Sequence, residues 1–223
     1  MTQSETPWVG LIRTGAANLA SVIAALERLK LRWTFIQDSQ QVLEAPFLIL
    51  PGVGAFAPAR QRLQEEGLDM ALVERFLADK PMLAICLGMQ LLSEGSEEAP
   101  GVPGLGIFPG TCRSLGSAEP LPNMGWKKVH PAAEEGKFLP RKPGWAYFAH
   151  SFALLQAPED WNAALSEHGE TPFVAAVQRR QVLACQFHPE LSGGYGEACL
   201  KAWFRIGAGS AAESKPLEGE AEA

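Results

Sequence analysis

A short apolar segment that ends in a cysteine most strongly limits how this chain can fold. Residues 82–85 have the pattern of a buried strand, Cys86 follows directly, and residues 89–92 have the pattern of a helix. The sequence therefore predicts a strand, a sharp turn and a helix, with a thiol at the turn. Such a turn places the thiol above the unpaired first amides of the helix, whose partial positive charge favours a thiolate and can hold an oxyanion.

The segments before this turn predict a layered α/β fold. Residues 9–12, 33–36 and 47–50 read as strands, and residues 19–29 read as an amphipathic helix capped by Asn18. Alternating strands and helices indicate a parallel sheet. The loop of residues 51–56 then follows a strand and contains Gly52 and Gly54, which allow close approach of the backbone to an anion. A turn between strand and helix needs glycine for structural reasons alone, so this motif has two interpretations.

The second half of the chain supplies a candidate partner for the thiol. Residues 173–178 and 182–187 read as a hairpin that ends at His188. In an extended His188-Pro189-Glu190 segment, the carboxylate reaches one imidazole nitrogen and leaves the other free to take a proton from a thiol. A solvated surface turn is the alternative interpretation of this motif, as a buried core cysteine is for Cys86. A cysteine, a histidine and a carboxylate in one chain can form a catalytic triad, which favours the functional interpretation of both Cys86 and the His188-Pro189-Glu190 motif.

Length and charge limit the classes of function. The chain has 223 residues, 47% of them apolar, which is enough for one substantial core. Its net charge of −6, without a Lys/Arg cluster, argues against nucleic-acid binding. No apolar run reaches membrane-spanning length and residues 1–7 lack a signal-peptide core, so we expect a cytoplasmic protein. The four cysteines are widely spaced, and we expect neither a disulfide framework nor a metal site.

Three motifs resemble those of the class I (triad) glutamine amidotransferases: Ile85-Cys86-Leu87-Gly88-Met89-Gln90, Pro51-Gly52-Val53-Gly54 and Gln186-Phe187-His188-Pro189-Glu190. A wider set resembles the glutaminase subunits of imidazole glycerol phosphate synthase: Thr14-Gly15, Asn18-Leu19, Ser21-Val22, Met124-Gly125-Trp126, Tyr147-Phe148, His150-Ser151 and Ser192-Gly193. The matches extend from Val9 to about Phe204.

The resemblance implies a three-layer α/β/α domain around a mixed, mainly parallel sheet, over residues 1–207. It also implies the hydrolysis of L-glutamine to L-glutamate and ammonia. In this reaction Cys86 attacks the side-chain amide, His188 carries the proton to the leaving ammonia, and Glu190 orients His188. Two further sets follow from the matching positions: oxyanion donors among the amides of Gly52, Val53 and Leu87, and glutamine-binding groups at Gln90, Ser151 and Phe152.

The resemblance further implies a heterodimer with a (β/α)8-barrel cyclase subunit. Ammonia passes to the cyclase, which makes imidazole glycerol phosphate and aminoimidazole carboxamide ribonucleotide in histidine biosynthesis. No cofactor, metal ion, nucleic acid or membrane is implied. Positions Asn18, Met124 and Trp126 match the partner interface, although a tryptophan such as Trp126 can also fill an ordinary core. We predict that Met124 and Trp126 lie in a turn.

The chain departs from the usual family pattern at a few positions: Ala84, Asn123, Lys127 and Leu191. Because Leu191 replaces a frequent basic residue, an interfacial ion pair there is not expected. Residues 208–223 are acidic and nearly devoid of large apolar side chains, which predicts a disordered tail. Two alternative functions remain at this stage: a glutaminase subunit that feeds a different synthase, and a non-catalytic subunit that stabilises a partner.

Overall fold

A computed structural model describes residues 7–14, 19–116, 119–132 and 142–213, with side chains as far as residue 205. The helices are α1 (Leu19–Arg28), α2 (Ser39–Glu44), α3 (Phe56–Glu65), α4 (Asp69–Leu77), α5 (Leu87–Leu92) and α6 (Gly193–Glu213), with a 3₁₀ helix at Pro189–Leu191. The strands are β1 (Trp8–Leu11), β2 (Arg32–Phe35), β3 (Phe47–Leu50), β4 (Met82–Ile85), β5 (Gly95–Ser96), β6 (Thr111–Ser114), β7 (Asn123–Pro131), β8 (Gly144–His150), β9 (Phe152–Ala153), β10 (Asn162–His168), β11 (Thr171–Arg179) and β12 (Val182–Cys185).

One nine-stranded sheet in the order β2-β1-β3-β4-β12-β11-β10-β7-β8 forms the centre of the fold. Pairing is parallel from β2 to β12 and antiparallel from β12 to β8. The predicted mixed α/β sheet is therefore confirmed. Every residue of β3, β4 and β12 is buried, because these apolar strands are covered on both faces.

Apolar clusters on the two faces of the sheet hold the helices in place. One cluster contains Val42, Leu63, Leu72 and Leu91, which belong to α2, α3, α4 and α5 respectively. The other contains buried side chains of α1 and α6, such as Trp203. The result is the predicted three-layer α/β/α arrangement. Within the residues described, no helix is long and apolar enough to cross a membrane.

The predicted turn at Met124 and Trp126 is wrong, because both residues lie in strand β7. Strand β7 pairs with β8 in antiparallel register from Asn123 to Val129. Met124 and Trp126 point to the solvent-exposed side, whereas Asn123 and Val129 are buried. In the usual strand pattern the apolar side chains face inward, and this pattern is inverted at the start of β7. The alternation of apolar and polar residues therefore did not predict this strand.

The C-terminal boundary stays a prediction. Helix α6 continues to Glu213 and so overlaps residues 208–213 of the predicted tail. Residues 214–223, which contain the rest of that tail, lie outside the described residues.

Candidate active site

The turn between β4 and α5 places Cys86 in a strained backbone conformation. Cys86 has φ 53° and ψ −110°, a region that side chains rarely occupy. Its amide donates to the carbonyl of Cys185 on the neighbouring strand at 2.7 Å, which helps to hold this geometry. Gly88 is required two residues later, because a Cβ there would lie 2.0 Å from the carbonyl oxygen of Leu50. The predicted strand, turn and helix are confirmed.

Strand order brings His188 and Glu190 to the same edge of the sheet as Cys86. Strands β4 and β12 are parallel neighbours with Ile85 opposite Cys185. The segments that follow the two strands therefore begin next to each other. Nδ1 of His188 lies 2.8 Å from Oε1 of Glu190, and both side chains are buried. The contact that the sequence predicts is present, but its predicted route is wrong. Glu190 reaches the ring through the 3₁₀ helix Pro189–Leu191 and not through an extended segment.

The surroundings of His188 favour its protonated form. Burial lowers the pKa of the imidazole, but side-chain hydrogen bonds to Cys86 and Glu190 and the negative charge of both partners outweigh burial and raise the pKa to about 10. An imidazolium beside a thiol is the arrangement that supports a thiolate nucleophile and then supplies a proton to a leaving group.

Two of the amides predicted to bind an oxyanion, those of Leu87 and Val53, do not converge in this conformation. The Leu87 amide donates to the carbonyl oxygen of Gly52 at 3.3 Å. Because the N–H and C=O of a trans peptide point in opposite directions, the Val53 amide of that same peptide points away from Leu87. The loop lies close to the turn, since a Cβ at Gly52 would be 2.7 Å from the Cβ of Leu87.

A cleft of about 220 Å³ opens above Cys86. Its lining includes the three predicted glutamine-binding residues, Gln90, Ser151 and Phe152, together with Val53. Nε2 of Gln90 donates to the Phe152 carbonyl at 2.8 Å and to Oε1 of Gln186 at 3.2 Å. Because both amide hydrogens are used, Oε1 is the atom that Gln90 can offer to a ligand, and an oxygen accepts a hydrogen bond from an ammonium group.

The sequence did not predict a role for two residues near the cleft, namely Glu98, and Gln186, which it gave only as part of a family motif. Glu98 lines the cleft, and its Oε2 accepts from the Phe56 amide at 3.1 Å. It lies in a loop after β5, where no local pattern marks it. Gln186 is fully buried, and its Nε2 lies 3.6 Å from the Cys86 sulfur. A polar residue that directly follows an apolar strand was the signal that could have identified Gln186.

An exposed aromatic surface lies beside the cleft. Met124 and Trp126 are 64% and 53% exposed, and Met124 is opposite Ala149, a residue that lines the cleft. The Trp126 ring contacts the Tyr147 ring, which in turn lies near the His188 ring. The third predicted interface residue, Asn18, lies outside the described residues.

This combination of fold and site defines a class of protein. Residues 12–205 match the glutamine amidotransferase class-I family model. The chain therefore belongs to the class I glutamine amidotransferases, which are enzymes. Within that class it belongs with the HisH subunits of imidazole glycerol phosphate synthase. It is 41% identical to the HisH subunit of Symbiobacterium thermophilum, over 88% of this chain and 92% of that protein. Its identity to the HisH subunit of Gloeobacter violaceus is 38%, over 94% of this chain and 95% of that one.

Solved structures share the fold. A crystal structure of a glutamine amidotransferase has a TM-score of 0.71 and 18% identity, and the match covers 90% of this chain and 98% of the other. The structure of PurLQS from Thermotoga maritima has a TM-score of 0.69 and 17% identity, with 90% and 98% coverage. These likenesses confirm the predicted class of fold.

Proposed function

We propose that this chain hydrolyses L-glutamine through Cys86, His188 and Glu190. The observation that carries the proposal is the 2.8 Å contact between His188 and Glu190 beside a strained cysteine. The Cys86 thiolate attacks the side-chain amide carbon of glutamine, and His188 gives its proton to the nitrogen as the C–N bond breaks. The neutral His188 then takes a proton from water as the water oxygen attacks the thioester. The C–S bond breaks, glutamate leaves, and the Cys86 thiolate and the His188 imidazolium are restored.

The cleft residues hold the amino-acid end of glutamine in this proposal. Oxygen Oε1 of Gln90 and the carboxylate of Glu98 accept hydrogen bonds from the α-ammonium group. The segment at Ser151 and Phe152 holds the α-carboxylate. A cleft of about 220 Å³ suits a small amino acid, and two acceptor groups suit an ammonium group.

We propose that the ammonia passes to a (β/α)8-barrel cyclase subunit, with which the chain forms a heterodimer. The relatives are named as subunits of imidazole glycerol phosphate synthase, which supports a synthase partner. We call Met124, Trp126 and Tyr147 the docking face. This face suits the contact because Met124 and Trp126 are exposed, and exposed aromatic side chains are effective interface anchors. A cytoplasmic location fits the four free cysteines, Cys86, Cys112, Cys185 and Cys199.

Partner binding also completes the oxyanion site in this proposal. Rotation of the Gly52–Val53 peptide by roughly half a turn removes the Gly52 carbonyl from the Leu87 amide and turns the Val53 amide towards it. Two N–H donors then converge on the developing oxyanion. The free chain is nearly inactive because the rotation requires the loaded partner.

Glutamate release by the chain, alone and with the cyclase and its ribonucleotide substrate, tests the function. Cys86→Ala is the control. Activity that appears in the full mixture and disappears with Cys86→Ala supports a partner-gated amidotransferase of histidine synthesis. Equal activity with and without the cyclase reassigns the chain to another synthase. Ammonia production that Cys86→Ala leaves unchanged favours the non-catalytic subunit.

A further inference from the structure

A connected set of buried amide groups ends at the Cys86 sulfur. Nε2 of Gln186 lies 3.6 Å from Sγ of Cys86, closer than the Ala149 carbonyl oxygen at 3.9 Å. Gln186 is fully buried, and its Oε1 accepts from Nε2 of Gln90. Gln90 in turn donates to the Phe152 carbonyl. The function proposed above assigns no role to Gln186.

The Phe152 carbonyl fixes which way both glutamine amides face. A carbonyl oxygen only accepts, so the Gln90 atom 2.8 Å from it is the NH₂ group. The second hydrogen of that NH₂ then requires an acceptor, so the Gln186 atom that faces Gln90 is the oxygen. The NH₂ group of Gln186 is consequently the end that faces sulfur. The orientation follows from partners that cannot exchange roles.

Two further residues keep the Phe152 carbonyl in place. The Nδ1 atom of His150 lies 3.0 Å from this oxygen and donates to it. The other ring nitrogen of His150 then accepts from Nδ2 of Asn123 at 3.0 Å, and both side chains are buried. Burial lowers the pKa of His150 to about 3, so the ring stays neutral and keeps this tautomer. This chain of donors and acceptors therefore holds the NH₂ group of Gln186 towards Cys86.

We propose that the Gln186 side-chain amide is a further catalytic group, which donates an N–H hydrogen bond to the Cys86 sulfur and stabilises the thiolate. The inference rests on the proposed role of Cys86 as the nucleophile. The bond favours the thiolate before attack on the amide and again when sulfur leaves the thioester. Gln186 neither gains nor loses a proton. A hydrogen bond to an ionised acceptor is about twice as strong as one to a neutral acceptor, so the thiolate benefits more than the thiol.

The reactivity of Cys86 towards iodoacetamide between pH 5 and 9 tests the inference in the full chain. Removing the donor with Gln186→Met should reduce the alkylation rate at pH 7 about tenfold and move the rate profile to higher pH. Gln186→Glu, which places an oxygen opposite sulfur, should reduce the rate further. Gln156→Met makes the same chemical change at an exposed position and should leave the profile unchanged.

Alkylation at these pH values reports on Cys86. Burial raises the pKa of Cys112 and Cys199 to about 12 and raises that of Cys185 as well, so these thiols do not compete. Cys86→Ala should abolish the labelling. Two titratable groups interact with the sulfur, namely His188 from the segment after β12 and Cys112 from β6. Two more line the same cleft, namely His150 from β8 and Glu98 from the loop after β5. None of them is changed in the Gln186 variants.

NMR of the Gln186 side-chain amide supplies a second readout that needs no substitution at position 186. Its ¹⁵N and ¹H signals should shift as Cys86 ionises and should stay constant in Cys86→Ala. An unchanged alkylation profile in a folded Gln186→Met, or amide signals insensitive to Cys86, overturns the inference. Failure of the proposed function is a separate result, namely glutamate release that survives Cys86→Ala, and the alkylation profile still decides the Gln186 contact in that case.

Discussion

The groups on the two sides of Cys86 differ in whether they already have the arrangement that the reaction needs. On one side, which we call the proton side, His188 and Glu190 are in contact at 2.8 Å and the imidazole is held in its protonated form. On the other, the oxyanion side, the Leu87 amide is occupied by the Gly52 carbonyl. The first side consists of side chains buried between strands, and the second consists of a loop whose peptide can rotate.

This difference separates two requirements of amide hydrolysis. A buried ion pair cannot be rearranged without exposing charge to an apolar interior, so it is suited to permanent assembly. A glycine-containing loop changes orientation by rotation about backbone bonds at little cost, so it is suited to control by a partner. We infer that the nucleophile is prepared in the free chain, whereas stabilisation of the oxyanion waits for the complex.

Breaking the proton side should have the largest effect. Glu190→Gln removes the charge that stabilises the imidazolium, and we expect kcat for glutamine in the complex to fall by about 10³–10⁴-fold. Steady-state glutamate release is the measurement. Glu167→Gln makes the same change at an exposed position and serves as the control. A loss of less than about tenfold would contradict the orienting role of Glu190.

Breaking the oxyanion side should have the next largest effect. Val53→Pro removes the amide hydrogen and fixes φ, so the rotated peptide cannot donate, and we expect the partner-stimulated kcat to fall about 10²–10³-fold. Val53→Ala keeps the amide and should retain most of the stimulation. Both variants should keep normal alkylation of Cys86, because the proton side is intact. Full stimulation of Val53→Pro would place the oxyanion donor elsewhere.

The docking face allows binding to be separated from chemistry. Trp126→Ala removes an exposed aromatic ring that contacts Tyr147, and we expect the Kd for the cyclase to rise about 30-fold, equivalent to about 2 kcal/mol. Turnover at saturating cyclase should recover, since Trp126 does not line the cleft. Titration calorimetry gives the affinity, and Leu77→Ala, an exposed leucine on α4, is the control. Unchanged affinity would remove Trp126 from the interface.

The smallest expected change is in the turnover of the complex as a function of pH, which tests whether the proton side keeps its imidazolium. The imidazolium is present below the pKa of His188 and lost above it, and this pKa is raised to about 10. Turnover of the complex should therefore change by less than about twofold between pH 7 and pH 9. With an ordinary histidine pKa of about 6.5, it would fall by about 80-fold. Cyclase affinity measured at each pH is the control.

Local patterns predicted most of the central sheet and the chemistry. The apolar runs at β3 and β4 predicted strands with the observed bounds. A strand that is covered on both faces is a continuous apolar run, so the sequence of the strand alone identifies it. The prediction failed at β7, where Met124 and Trp126 face outward and are exposed. It also missed Glu98, which lines the cleft and accepts from the amide of Phe56, a residue 42 positions earlier in the chain.

By itself, the sequence determined the strand, turn and helix around Cys86, the His188-Glu190 pair and the family, because these depend on residue type and on spacing within short segments. Only the tertiary structure decided which distant groups meet. Gln186 reaches Cys86, 100 positions away, because β4 and β12 are neighbours in the sheet. The structure also decided that the Gly52 carbonyl faces Leu87, since rotation of one peptide changes the chemistry of a site and leaves no trace in the order of residues.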